Sequence, residues 1–355
     1  MGIAPTPKDT VLVDGTAQLY RFRRDVAAEP GAAAGVPVLL VPSMINRWYV
    51  LDLREGVSLA DSLVRAGHDT WLLDWGIPND EDRYRTWDDG VRRIARMVRR
   101  VKRETGASQV VLVGYCMGAT ISTVYAALHP EELAGFVNLA GPIDFRHAGL
   151  LGELVHEDVF DPEAMTAAGN LPAAMMQSGF TTLRPTQQIA KWVSLADRGL
   201  DPSFRTAFEA LETWANDNIP FPGSSYVTYI RELYQQNRLV EGRHAACGRR
   251  VDLNDIRCPV LTITASRDTI CPPKAALALN DAVGSTDTTA LEVPGGHVGA
   301  VVGSQAPKTL YPAIAEWIRT RAQRAEVPSV PAPMLGASRR RTGKRGGDRP
   351  AKSDS

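Results

Sequence analysis

Val110-Val-Leu-Val-Gly114-Tyr115-Cys116-Met117-Gly118 joins an apolar β-type run to an apolar stretch of helical length through a turn that reads G-x-C-x-G. Strand, small residue, nucleophile, small residue and helix, in that order, describe a nucleophile elbow with cysteine where serine is usual. Such a turn strains the backbone at the nucleophile, and Gly114 and Gly118 allow the close approach of strand and helix that it needs. The Cys116 thiol then stands above the sheet at a helix N-terminus, where the helix dipole favours negative charge.

Outward from the elbow, short apolar runs at 36–41, 69–73, 109–113, 135–139, 260–264 and 290–293 alternate with helical patterns. That alternation predicts a mostly parallel, doubly wound sheet covered on both faces. Upstream, Thr10-Val-Leu-Val and Gln18-Leu-Tyr-Arg-Phe flank Asp14-Gly15, which predicts a β-hairpin, and a Gly/Ala/Pro-rich link spans 27–35. Val91, Ile94, Ala95, Val98 and Val101 form an apolar helical stripe, and Arg92, Arg93, Arg96, Arg99 and Arg100 form its opposite, solvated face. The alternation stops between about 146 and 250, a stretch rich in Met, Trp and Tyr and broken at Pro220-Phe-Pro-Gly223. Lying between two strands, it reads as a helical lid over the site. A last amphipathic helix is expected over 306–324, with Leu310, Ile314, Trp317 and Ile318 on one face.

The predicted organisation is therefore a core made of 1–145 and 251–326, a lid insertion at 146–250, and a disordered basic tail at 327–355. The tail carries much of the charge asymmetry. From Pro331 onward there are seven Lys/Arg against two Asp/Glu, leaving 33 against 38 before it, so the folded part offers no electrostatic case for nucleic acid. No apolar run is long enough to span a bilayer, and the N-terminus lacks signal-peptide character, which predicts a cytoplasmic protein. The four cysteines form no C-x-x-C pair, so a disulfide framework or structural zinc site is not expected.

A nucleophile at this elbow needs a base and an orienting acid, the acid earlier in the chain. Asp268 follows the 260–264 strand in Ala265-Ser-Arg-Asp268, and His297 follows the 290–293 strand in Pro294-Gly-Gly-His297. Both occupy loops past a strand's carboxyl end, where such sheets place their sites. His68, His129, His147, His156 and His244 lack that context, as do Cys247, Cys258 and Cys271. The oxyanion hole requires two backbone N–H groups. One is expected from Met117 and the other from Met44, in the loop Pro42-Ser-Met-Ile45. These features predict an α/β-hydrolase fold with a Cys116–His297–Asp268 triad.

Cysteine in place of serine narrows the chemistry. A thiolate that attacks an oxoester climbs in energy, whereas exchange with an acyl-CoA thioester is nearly level and later transfer to an alcohol runs downhill. A lid that excludes water would protect the acyl-enzyme.

The chain resembles the polyhydroxyalkanoate synthases, specifically the short catalytic subunit of the class III enzymes, over about residues 15–322. The resemblance is carried by Val41-Pro-Ser-Met-Ile-Asn-Arg-Trp-Tyr-Val-Leu-Asp-Leu53, Leu72-Leu-Asp-Trp-Gly76, Gly114-Tyr-Cys-Met-Gly118, Leu233-Tyr-Gln-Gln-Asn237, Val251-Asp-Leu253, Ile256-Arg-Cys-Pro-Val260 and Pro294-Gly-Gly-His-Val-Gly299. It implies polymerisation of (R)-3-hydroxyacyl-CoA into polyester with CoA release, the chain carried on Cys116. His297 would deprotonate Cys116, and Asp268 would orient His297 or help activate the incoming 3-hydroxyl through it. No cofactor or metal is implied. The resemblance further implies a homodimer, a hetero-oligomer with a second synthase subunit, and association with polyester granules. Three departures stand out: Ala119 where a second Gly is usual, Thr269 where His is common after the acid, and the basic tail.

From the residues alone, a cysteine hydrolase (thioesterase, esterase or polyester depolymerase) remains the alternative, and a non-catalytic granule-binding protein a third reading. Deletion of Pro328 to Ser355 is expected to leave turnover unchanged, measured as CoA release. A collapse of turnover would give the tail an active part.

Overall fold

The computed structural model describes residues 2–23, 35–183 and 185–322. The tail at 327–355 and all but the last residue of the 27–35 link lie outside them. Eight strands form the central sheet: β1 (Lys8–Asp14), β2 (Ala17–Phe22), β3 (Val38–Val41), β4 (Thr70–Asp74), β5 (Val110–Tyr115), β6 (Leu133–Leu139), β7 (Val260–Ala265) and β8 (Thr288–Val293). Their spatial order is β1-β2-β4-β3-β5-β6-β7-β8. The first three are joined by antiparallel pairings and every later pairing is parallel. The expected hairpin is present, turning at Gly15, whose φ of +63° suits glycine.

Side chains alternate along each strand and divide the core into two layers. On one face Leu39, Val41, Leu73, Leu112 and Phe136 pack with α2 (Trp87–Thr105) and α3 (Met117–Leu128), whose predecessor α1 (Leu59–Arg65) lies opposite. On that opposite face Val38, Leu40, Leu72, Val111, Val113 and Ile263 pack with α1 and the C-terminal helix. Both layers reach Cys116, which stands where the two cores meet at the sheet's carboxyl edge. The stripe of α2 is buried as its spacing requires, and the helix is bounded by a Thr86–Asp89 capping box and by left-handed Gly106. Its arginine face is not uniformly solvated. Arg93 is largely buried and reaches Asp14 at the hairpin end, 3.3 Å away, which ties α2 to the sheet edge.

Between β6 and β7 the chain is mainly helical. It includes α4 (Ala173–Leu183), α5 (Pro202–Asn216) and a helix Gly223–Thr228 that continues into a π-helical stretch, Tyr229–Gln235. α6 (Pro273–Ala282) and α7 (Leu310–Arg321) follow. α7 starts four residues later than its apolar pattern suggests. Proline lacks an N–H and is tolerated only in a first turn, so Pro312 fixes the start at Leu310. Leu310, Ile314, Trp317 and Ile318 are buried as expected. Among the described residues no helix is long and apolar enough to cross a membrane.

The tightest point in the fold is the elbow. A Cβ on Gly118 would lie 2.2 Å from the Val41 carbonyl oxygen and 2.3 Å from that of Pro42, and one on Gly114 would lie 2.4 Å from Ala119 Cα. Gly118→Ala is therefore expected to lose about 3 kcal/mol of stability through overpacking. Gly179→Ala, on an open face of α4, should be neutral or gain up to about 1 kcal/mol. Urea unfolding of both variants measures the contrast, and a Gly118→Ala protein of undiminished stability would refute it.

Candidate active site

Cys116 caps α3 with φ +57° and ψ −131°, a conformation that L-residues rarely hold. It is held from both sides. The Cys116 N–H donates to the Leu139 carbonyl at 2.9 Å, and the Cys116 carbonyl accepts from the Ala119 N–H at 2.9 Å. Ala119, one of the departures from the resemblance, packs its Cβ against Gly141, where a second Cβ would come within 2.4 Å. Met117 is the first residue of α3, so its N–H has no carbonyl within the helix to bond and is available to a ligand.

Asp268 and His297 converge from the neighbouring loops. Asp268 Oδ1 accepts the N–H groups of Ile270 and Cys271, each at 2.9 Å, and Oδ2 meets His297 Nδ1 at 2.6 Å. The carboxylate is thus spent on fixed partners, and Nδ1 is the donor that serves it. The loops themselves are zipped together: Ser266 N–H bonds the Val293 carbonyl and Arg267 N–H bonds the Gly295 carbonyl. His297 is buried, and its Nε2 makes no hydrogen bond of ordinary geometry among the described residues. Burial disfavours imidazolium, but the Cys116 charge, the Asp268 hydrogen bond and contact with the thiol outweigh it and raise His297 to about 10. The imidazole also stacks on Tyr115, ring centroids 5.5 Å apart, and the Tyr115 hydroxyl reaches the His297 carbonyl at 3.5 Å.

Cys116 and His297 open onto one cavity of about 440 Å³. Its floor is Tyr115, Cys116 and the Gly296–Gly299 stretch, with Thr269 and Ile270 beside Asp268. Leu211, Trp214 and Ala215 of α5, with Gln177 and Thr181 of α4, line it from the insertion between β6 and β7. From the loop after β3, Ile45 and Asn46 line the cavity. The Met44 side chain is buried instead and faces Gly90 of α2, whose Cβ would lie 3.6 Å from Met44 Cε.

The alpha/beta hydrolase fold family matches residues 36–304. Among curated proteins, a poly(3-hydroxyalkanoate) polymerase subunit PhaC from Allochromatium vinosum is 35% identical over 89% of this chain and 89% of its own length. Polymerase subunits of that name from Haloarcula marismortui and Synechocystis sp. are 33% and 32% identical over 91% and 89% of this chain, covering 70% and 85% of theirs. The chain belongs to the poly(3-hydroxyalkanoate) polymerase family. Solved structures share the fold alone: a putative non-heme bromoperoxidase, BpoC, from Mycobacterium tuberculosis (15% identity, TM-score 0.53, 81% of this chain and 93% of that one), and a lipase-esterase related protein from Clostridium acetobutylicum (15%, 0.51, 86% and 100%).

The remaining cysteines and histidines of this polymerase-family chain have other surroundings. Cys258 and Cys271 are buried, and burial raises both thiols. Cys247 sits in a turn, its N–H on Asp88 at 2.8 Å. Buried His68 bonds the Ala315 carbonyl at 3.1 Å, and buried His244 meets Glu232 at 2.8 Å. Sequence reasoning had not singled out Tyr115, though its place between Gly114 and Cys116 puts it under any imidazole that serves the thiol. Nor had it found Gln177 and Asn218, which reach the cavity from α4 and from the segment just past α5.

Two consequences follow from His297. Its folded value lies above its ordinary 6.5, so its contribution to stability is full below pH 6.5 and is lost as pH rises through about 10. In Cys116→Ala the largest interaction favouring imidazolium is gone, so His297 should titrate at clearly lower pH when its ring protons are followed by NMR. An unchanged titration would mean that thiol and imidazole are not paired.

Proposed function

We propose that this chain is an acyltransferase that polymerises (R)-3-hydroxyacyl-CoA into polyester through an acyl group held on Cys116. The observation that carries the reading is a cysteine, not a serine, at the elbow of a roofed, largely apolar cavity, beside a buried His–Asp pair. Family membership supports it, since the relatives are named poly(3-hydroxyalkanoate) polymerase subunits.

In the proposed cycle, His297 Nε2 takes the Cys116 proton and the sulfur attacks the thioester carbonyl. The developing oxyanion meets the Met117 N–H and a second N–H from the loop after β3, assigned to Met44. The carbon–sulfur bond to CoA breaks, CoA leaves as a thiol with the proton from imidazolium, and the acyl group remains on Cys116. His297 then deprotonates the 3-hydroxyl of an incoming unit, whose oxygen displaces the Cys116 sulfur and forms the new ester. Asp268 keeps Nδ1–H facing inward throughout, so Nε2 alone handles protons. Water on the same acyl-enzyme would give hydrolysis, and the roof of α4 and α5 suppresses that route.

We assign the lid to the part of 146–250 that carries α4 and α5. The later part is different, since Phe221, Tyr229, Ile230 and Leu233 are buried in the main core. A homodimer and pairing with a second synthase subunit at a polyester granule belong to the same proposal. Exposed Trp192 and Leu200, on the insertion's outer surface, are consistent with a partner there.

Labelled 3-hydroxybutyryl-CoA tests the reaction. Polymer retained at the chromatographic origin is expected, and free hydroxy acid as the sole product would make the chain a hydrolase. His297→Ala should slow CoA release by about 10³-fold, and Cys116→Ala should abolish it. Full release by Cys116→Ala would show the site idle.

A further inference from the structure

Three side-chain amides that line the cavity bond one another in series: Asn46 from the loop after β3, Asn218 just past α5, and Gln177 from α4. Asn46 Nδ2 donates to Asn218 Oδ1. Asn218 Nδ2 donates to Gln177 Oε1 and, at 3.0 Å, to the Ala215 carbonyl. The middle amide is therefore used up within the protein. The ends are not. Asn46 Oδ1, an acceptor, and Gln177 Nε2, a donor, have no hydrogen-bond partner among the described residues. Around them the wall is apolar, formed by Ile45, Leu211 and Trp214.

We propose that this amide ladder binds the pantetheine arm of the acyl-CoA through the arm's secondary amides, and thereby selects the thiol carrier. The inference rests on the acyltransferase reading above. A secondary amide presents one N–H and one C=O, which match a free acceptor and a free donor. The arm's methylene and methyl groups suit the apolar wall between them. A polyester chain fits less well, because its repeating esters carry acceptors only and would leave Asn46 Oδ1 without a donor. Position agrees too. The nearer amide of the arm lies a few bonds from the thioester sulfur, and the ladder shares its cavity with Cys116.

The test uses two neutral thioesters of one acyl group: 3-hydroxybutyryl-pantetheine, which has the amides, and S-butyl 3-hydroxythiobutyrate, which has none. The quantity read is the ratio of their kcat/KM values for thiol release. Gln177→Met removes both hydrogen-bonding atoms, whereas Gln177→Glu keeps an acceptor for Asn218, removes the free donor and adds a charge that the two neutral thioesters meet alike. Gln177 is only partly buried on its helix, so both variants are expected to fold, and melting curves check that they do. Each should lower the ratio about 5–10-fold, the worth of one hydrogen bond. The proposal is overturned if neither variant changes the ratio. It is equally overturned if Gln177→Met lowers the ratio while Gln177→Glu keeps the wild-type value, since the ladder would then be a strut within the lid. If the wild-type chain releases thiol from neither thioester, the acyltransferase reading itself falls and this inference falls with it.

Discussion

The contact between the first turn of α3 and the end of β3 governs the site. With Gly118 so close to the carbonyls of Val41 and Pro42, helix and strand share backbone surface with no side chain between them. That contact sets how high Cys116 stands above the sheet, and the φ of +57° at Cys116 is its consequence. Such backbone costs on the order of 1–3 kcal/mol and persists only where its surroundings over-determine it. Here the surroundings are Gly114 against Ala119, Ala119 against Gly141, and the Leu139 carbonyl on the Cys116 N–H. The same contact brings the unspent N–H of Met117 beside the loop that follows β3. Cys116 and the loop proposed to bind the oxyanion are thus positioned by a single close approach.

Proton chemistry depends on a second constraint, the complete use of Asp268. Two backbone donors and one imidazole occupy its oxygens, so the carboxylate cannot turn, and the Tyr115 ring prevents His297 from tilting away. A buried charge pair is costly to desolvate and stable only when its remaining valences are filled. His297 is the one member with a ring nitrogen left over, on a side chain that lines the same cavity as the thiol.

How much of this was legible in the sequence follows from how local each feature is. The elbow is written in nine consecutive residues, and the acid and base each follow an apolar strand run, so Cys116, Asp268 and His297 could be named before any coordinates. The parallel pairing of the later strands likewise follows from alternation, whereas their spatial order does not. Features made by distant segments were hidden. Nothing in the pattern of α2 marks Arg93 as the partner of Asp14 rather than a solvated side chain. Nothing near Asn46 announces a partner 172 positions away. The late start of α7 was readable from Pro312, but the apolar stripe outweighed it. The π-helical stretch at Tyr229–Gln235 has no periodic signature, because a single widened turn leaves the apolar spacing almost unchanged.

The loop after β3 also answers why the roof can be helical and distant in sequence and still keep its register over the thiol. The Ile45 carbonyl accepts the Ile219 N–H at 3.3 Å, and the Arg47 carbonyl accepts Trp214 Nε1 at 2.9 Å. Tyr49 donates to Asp217 at 2.7 Å, and Asn46 bonds Asn218. Four hydrogen bonds, each worth about 0.5–1.5 kcal/mol net, join 45–49 to 214–219 along one seam. That seam holds the end of α5 against the loop expected to supply an oxyanion donor. In the proposed mechanism water exclusion and anion stabilisation are therefore mechanically linked, because the backbone that would face the tetrahedral oxygen is also the backbone to which the end of α5 is bonded.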